Sequence, residues 1–345
     1  MQPGKSPGAR FGTGIGRHES THEIAEHAKV AEACGFEHLT FVDDIQLTRD
    51  VYAMLTIGAL STSRILIGAG VTHTKTRHPV QTAVATATIQ ELSGGRAFLG
   101  LGAGHLNALL GLKPGTMAEI RETVDISRRL SRGQEVTLDN GTVVSSPWMN
   151  EPFPIYLAAD GAKSMRLAGE IADAVWMHGF HPSLVEWRLS CIAAGLDSAG
   201  KSRKDIDIWL RTAVIITDDK AAGRDVARSY AATIGHQFCM ANLTRDNEDT
   251  RRLKQMMPES LQQDYMRCWE TWDEYEHEKW DASHASAASD QLVDWTTIVG
   301  PPDECAERIR ELLHSGYDGL SLGVFGTPDR MRFWRQFNEE VMPLV

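Results

Sequence analysis

Short apolar runs alternate with longer amphipathic segments along most of this chain. Phe11–Ile15 reads as a first strand, and Ser20–Cys34 as a helix with Ser20 or Thr21 placed to cap it and Gly35 to stop it. His38–Val42 is a second strand, Asp50–Leu60 a helix and Ile65–Gly70 a third strand. Pro79–Leu92 follows as a helix with proline in its first turn, then Ala97–Leu101 as a strand and Thr116–Arg132 as a helix. Past the Asn140-Gly141 turn, Thr142–Ser145 reads as one arm of a small surface hairpin. The rhythm then resumes with strand Ile155–Ala159, helix Ala162–Ile171, strand Ala174–His178 and helix Ser183–Ala199. Asp207–Ile216 is a seventh strand, Gly319–Val324 an eighth, and Arg330–Val341 a closing helix.

The strand runs are apolar throughout, the pattern of strands covered on both faces. Eight β-α units close more naturally into a (β/α)8 TIM barrel than they open into a doubly wound sheet, which is the competing architecture. One stretch interrupts the rhythm. From about 235 to 295, Tyr265, Trp269, Trp272, Tyr275, Trp280 and Trp295 stand among many charges. It reads as a helical insertion in a single barrel domain. It either covers the barrel mouth, buries its aromatics in a dimer interface, or packs as an ordinary extra layer.

Composition narrows the function classes. At 345 residues the chain has the length of an α/β barrel with insertions. A formal net charge of -11 argues against nonspecific binding to nucleic acid or anionic membranes. It does not argue against a small anionic cofactor, because backbone amides bind phosphate locally. The five cysteines (Cys34, Cys191, Cys239, Cys268, Cys305) are scattered, with no CxxC pair, as expected of reduced thiols in a cytoplasmic protein. The start, MQPGKSPGARFGTG, has no apolar core of a signal peptide, and no run of about 18 apolar residues predicts a membrane span.

In a parallel barrel the C-terminal strand ends form the active face. Asp43-Asp44 follow the second strand, Gly70-Val71-Thr72-His73-Thr74 the third and Gly102-Ala103-Gly104-His105 the fourth. Asp160-Gly161-Ala162-Lys163-Ser164 follow the fifth and His178-Gly179 the sixth. The glycines around Ala103 either admit a flat ligand close to backbone or simply turn a strand into a loop. The segment after Asp160 either offers free helix N–H groups to a phosphate or is plainly capped by Asp160. Asp43 and Asp44 are adjacent, so only one of them faces the mouth directly. His105 is a candidate acid or base, with His73 and His178 as further candidates. His18 and His22 have no third ligand in reach and are read as surface residues, so no metal site is expected. No GxSxG, HExxH or P-loop motif is present.

Longer segments carry a family resemblance. They are Asp50-Val51-Tyr52 after FVDD, GAGVTHTKTRHPVQTAVATATIQELSGGRAFLGLGAG (Gly68–Gly104), PIYLAADGAKSMRLAGEIADAVWMHG (Pro154–Gly179) and WTTIVGPPDECAERIRELLHSGYDGLSL (Trp295–Leu322). Together they resemble the luciferase-like monooxygenase superfamily, and within it the branch of coenzyme F420-dependent methylenetetrahydromethanopterin reductase. The likeness spans nearly the whole chain outside the aromatic insertion.

The resemblance implies a (β/α)8 barrel with F420, or alternatively FMN, at its C-terminal mouth. It implies a bulge behind the ring, often with a non-prolyl cis peptide, which maps onto Gly70-Val71. By the same likeness Asp43 contacts the hydroxyl-bearing side of the deazaflavin and Asp44 lies nearer the reacting face. Ala103, Gly104, Gly161 and Ala162 match positions whose backbone approaches the ribityl chain or phosphate. Gly70, Val71, His73, His178 and Gly179 complete the expected cofactor-binding set. Several relatives carry histidine at the position of Asp44 and an acidic residue at that of His105. The expected catalytic pair is therefore Asp44 and His105 in exchanged order. The expected activity is hydride transfer between reduced F420 and a small organic acceptor. The alternatives are an FMN-dependent monooxygenase using O2, fed by a partner reductase, and a non-catalytic deazaflavin-binding protein. A homodimer is expected, with a small-molecule substrate and neither nucleic-acid nor membrane partners.

Overall fold

The fold is given by a computed structural model that describes residues 8–16, 20–44, 48–104, 109–276, 279, 281–323 and 329–345. Its strands are Phe11–Ile15 (β1), His38–Phe41 (β2), Leu66–Ala69 (β3), Thr72–His73 (β4), Ala97–Gly102 (β5), Val136–Thr137 (β6), Val143–Val144 (β7), Ile155–Ala158 (β8), Ala174–His178 (β9), Asp207–Ile216 (β10), Thr297–Gly300 (β11) and Gly319–Leu322 (β12). Parallel pairing runs β1-β2-β3-β5-β8-β9-β10-β12, and β12 pairs back onto β1 through Phe11 and Leu320. The ring therefore closes on itself, as a (β/α)8 barrel must and a doubly wound sheet does not.

The helices are Thr21–Ala33 (α1), Val51–Ser61 (α2), Pro79–Ser93 (α3), Met117–Leu130 (α4), Ala162–Ile171 (α5), Pro182–Ser198 (α6), Lys220–Phe238 (α7), Glu248–Met256 (α8), Glu259–Glu270 (α9), Asp290–Asp294 (α10), Pro302–His314 (α11) and Arg330–Gln336 (α12). Their starts follow local chemistry. Ser20 and Glu23 form a reciprocal cap on α1, the Asp50 carboxylate accepts from Tyr52 and Ala53 at the start of α2, and Pro79 occupies the first turn of α3. Strands β6 and β7 form the small antiparallel hairpin around Asn140-Gly141. Two strands are not among those the sequence predicts: β4, which pairs with β5 through Thr72–Leu101 and His73–Gly102, and β11. β11 lies between α10 and α11 and pairs along the second half of β10, from Ala213–Thr297 to Ile216–Gly300. β10 can serve both the barrel and this extra strand because it is ten residues long.

The N-terminal end of the barrel is plugged. Phe98, Tyr156, Trp176 and Trp209 are buried there around His38, whose ring centroid is 4.5 Å from that of Trp209. Glycines on neighbouring strands make the room: a Cβ on Gly12 would lie 2.0 Å from the His38 ring, and one on Gly100 would lie 1.8 Å from the Ala69 carbonyl oxygen. Carboxylates pin the loops at this end. Glu32 accepts from the backbone N–H groups of Ser63, Arg64 and Ile65, Asp173 from that of Ile155, and Asp318 from that of Ile208. All five cysteines are buried and unpaired to one another. Among the described residues no helix is long and apolar enough to cross a membrane.

Candidate active site

At the C-terminal end the same strands open into a cavity of about 390 Å³. Its β3 side is the junction of β3 and β4, where the Gly70-Val71 peptide bond is cis. Both residues line the cavity, as do Asp43, His73, Ala103, Gly104, Gly161, Ala162 and His178. Thr72 donates from Oγ1 to Asp43 Oδ2 at 2.6 Å, and Arg77 pairs with the same oxygen. Arg77 also binds Asp50 at 2.8 Å and lies over the Tyr52 ring, so the start of α2 helps fix Asp43. Burial, aided by Arg77, holds the His73 imidazolium below its ordinary range against the opposing pull of Asp43 and Asp44.

Asp44 and Gly179 are placed differently. Asp44 is buried beside the cavity rather than on its wall, with its backbone tied to Thr48. β2 ends at Phe41, and the chain beyond it brings both Val42 and Asp43 to the cavity while Asp44 is left off the wall. Gly179 sits behind the wall at φ +74°, its carbonyl accepting from Arg188 at 2.7 Å. His105, the other expected catalytic residue, lies outside the described residues.

The opposite side turns on Asp160. It does not cap α5; Gly161 holds that position. The Asp160 carboxylate instead accepts from the His178 backbone N–H at 2.9 Å and lies 2.7 Å from His178 Nδ1. Arg188, wholly buried, faces the same carboxylate at 3.5 Å. Burial works to raise the Asp160 carboxyl, but His178 and Arg188 outweigh it and hold the group below the usual carboxylate range. Without Asp160, the start of α5 presents Gly161, Ala162, Lys163 and Ser164 to the cavity.

The third wall comes from outside the barrel. Thr233, Gln237, Met240, Ala241 and Asn242 reach the cavity from α7 and the π-helical turn Cys239–Leu243 that prolongs it. Asn242 is anchored to the barrel by donating to the Asp160 carbonyl at 2.9 Å. The insertion's aromatics do something else. Trp269 and Trp272 stack on the His236 ring at 5.0 and 4.2 Å, and Trp272 meets His284 at 4.3 Å. Among the described residues none of the insertion's tryptophans lines the cavity.

A sequence model of the luciferase-like monooxygenases matches residues 4–319. The chain is 32% identical over 333 residues to 5,10-methylenetetrahydromethanopterin reductase of Archaeoglobus fulgidus, covering 93% of this chain and 95% of that one. The chain belongs to the luciferase-like monooxygenase family. It is also 28% identical over 346 residues to the F420-dependent glucose-6-phosphate dehydrogenase of Nakamurella multipartita, covering 93% of this chain and 91% of the other. The solved structure of coenzyme F420-dependent tetrahydromethanopterin reductase from Methanopyrus kandleri superposes with a TM-score of 0.78 at 24% identity, over 97% of this chain and 99% of the other. This luciferase-like chain is an oxidoreductase of that class.

Three groups in or around this luciferase-like site were not singled out by sequence reasoning. Arg211 on β10 lines the cavity and reaches across the barrel to within 3.4 Å of the Gly70 carbonyl. A charge inside the apolar run IWLRTAVII is the signal that could have found it. Arg188 is hidden in α6, where it looks like any polar residue of an amphipathic helix. Glu274, in the short turn Glu274–Glu276 of the insertion, has a carboxylate oxygen buried from solvent. Burial raises its carboxyl above the usual range; a hydrogen bond with Trp272 opposes this and the charge of Asp44 adds to it. No spacing rule brings Glu274 and Asp44 together.

Proposed function

We propose that this chain is a coenzyme F420-dependent oxidoreductase, exchanging hydride with a small organic acceptor at the open end of the barrel. The observation that carries the reading is the cavity wall. Gly70, Gly102, Ala103, Ala158 and Ala162 line it with backbone and methyl groups, and Asp43, Lys163, Arg211 and Arg245 add charge. A planar ring bearing an anionic tail needs that distribution. Glycine is needed at the second of these positions: a Cβ on Gly102 would lie 2.7 Å from Val71 Cγ2.

The polar groups fit the same ligand. Asp43, steadied by Thr72 and Arg77, offers an acceptor beside the Gly70-Val71 turn. Lys163, Arg245 and the first N–H groups of α5 face the cavity where an anionic group would be held. Bound there, reduced F420 supplies the hydride. The chain's part is to orient the partners and exclude water around them. Two relatives matched over more than nine-tenths of their length, a 5,10-methylenetetrahydromethanopterin reductase and an F420-dependent glucose-6-phosphate dehydrogenase, support F420 over FMN.

The test is a fluorescence titration of the purified protein with F420 and with FMN. F420 should bind at least about tenfold more tightly, and Asp43→Asn should weaken it by about tenfold, the loss of one charge-assisted hydrogen bond. Preferential FMN binding, with turnover that needs O2, would overturn the reading.

A further inference from the structure

Among the described residues, the cavity contains one imidazole held by a carboxylate. His178 stands at the end of β9, on the cavity wall, with Nδ1 2.7 Å from Asp160 Oδ2. A carboxylate only accepts, so Nδ1 carries the hydrogen. In the neutral ring Nε2 is then an acceptor, and in the cation it is a donor. The backbone N–H of His178 binds the other Asp160 oxygen at 2.9 Å, so one carboxylate fixes both the residue and its tautomer. Arg188 closes the arrangement from behind by donating to the carbonyls of His178 and Gly179. Among the described residues no hydrogen bond to Nε2 is made. His73, on the β4 side, is different: its Nδ1 shares a hydrogen bond with Thr76 at 3.3 Å.

We propose that His178 is the acid–base residue of this site, exchanging a proton through Nε2 with the acceptor's heteroatom, and that Asp160 is its positioning residue. The inference rests on the hydride-transfer reading above. In the reducing direction hydride adds to the carbon of a C=O or C=N group and the π pair moves onto oxygen or nitrogen. The Nε2–H bond breaks as the new O–H or N–H bond forms, and neutral His178 is reprotonated by solvent. The two electrons come with the hydride from the reduced cofactor, and the proton that cofactor sheds goes to solvent. This assigns the acceptor class: a polarised double bond with a basic heteroatom, in preference to an isolated C=C.

Charged and titratable groups face His178 from several elements. Besides Asp160, Arg188 comes from α6 and Arg211 stands beside His178 across β9 and β10. Lys163 of α5 shares the cavity wall. Tyr265 of α9 and Tyr317 before β12 pack nearby, both with phenols raised by burial and so uncharged.

The deciding experiment uses histidine-labelled protein and needs no acceptor. Long-range 1H–15N spectra should show the neutral His178 ring protonated at Nδ1, and Asp160→Asn should shift it toward the Nε2–H form. His178→Asn keeps an N–H for Asp160 but cannot exchange a proton. It should lose about a hundredfold in kcat, measured at saturating F420, against a panel of aldehydes, ketones and imines. Asp160→Asn should lower kcat more than it raises KM for the acceptor. A neutral ring protonated at Nε2, or wild-type turnover by His178→Asn, would overturn the proposal. Failure of the wild-type protein to bind F420 would sink the cofactor assignment instead, so the two failures are distinguishable.

Discussion

The two ends of the barrel are built from the same strands and serve opposite purposes. At the N-terminal end Phe98, Tyr156, Trp176 and Trp209 close the interior. Two residues further along three of those strands, on the same face, stand Ala158, His178 and Arg211, all of them on the cavity wall. Gly102, four residues after Phe98, joins them there. Shortening or charging the second inward layer turns a packed core into a site without any change of backbone path. The histidines show the difference most clearly. His38, in the plug, meets Ser321 Oγ at 3.1 Å and four aromatic rings. His178, at the open end, meets a carboxylate.

If that contrast is right, acid should attack the plug first. Burial, reinforced by Arg10 and Arg211, pushes the His38 imidazolium down to about 3. In the unfolded chain the ring titrates near 6.5. Between those values the unfolded state holds a proton that the folded state does not, so stability falls as pH falls. The contribution is whole above pH 6.5 and is lost progressively down to about pH 3, amounting to roughly 4–5 kcal/mol at the bottom of the window. Urea denaturation at successive pH values should show a clearly shallower slope for His38→Asn than for wild type. Equal slopes would mean that His38 is charged, and that the plug is not the dry layer described.

Two glycines of β5 sharpen the comparison. A Cβ on Gly100 would lie 1.8 Å from the Ala69 carbonyl oxygen and 2.9 Å from Trp176, whereas one on Gly102 would meet the side chain of Val71 at 2.7 Å. Backbone cannot yield as a rotatable side chain can. Gly100→Ala should therefore cost about 3 kcal/mol or more, and Gly102→Ala about 1 kcal/mol. Their effects on F420 binding should run the other way, because the methyl at Gly102 intrudes on the cavity wall. Paired denaturation and fluorescence titrations check both halves.

Sequence made the eight strands legible because coverage on both faces turns each into an apolar run. The same property hid which residues point inward: in AVWMH nothing distinguishes Trp176 and His178 as one face from Val175 and Met177 as the other. The strand ends at Asp43, Gly70, Gly104 and Gly161 were found because barrel geometry sends such positions to one mouth. The Asp160–His178 pair was not, because it depends on β8 and β9 being neighbours in register. The one role that local sequence offers Asp160 is a cap on the following helix, one of the two readings of that segment. Glu274 reaches the vicinity of Asp44 from more than 200 residues away, through a turn of the insertion that local patterning cannot place.

The smallest effect expected tests whether the two ends are independent. Glu32, at the end of α1, binds the N–H groups of Ser63, Arg64 and Ile65 at 2.9, 2.6 and 2.9 Å, on the loop leading into β3. Burial opposes its charge, but those N–H groups outweigh it and bring the carboxyl down to about 2. The stabilisation is therefore complete above its ordinary 4.5 and disappears as pH falls through about 2. Solvent reaches this carboxylate, so Glu32→Gln should cost only about 1 kcal/mol at pH 7, and the gap from wild type should close toward pH 2. F420 affinity at pH 7 should be unchanged, since β3 carries the cis turn at its far end and the plug lies between. A Glu32→Gln protein with wild-type stability but weakened cofactor binding would show that the loop sets the position of Gly70-Val71, and the division of the barrel into a load-carrying end and a chemical end would have to be abandoned.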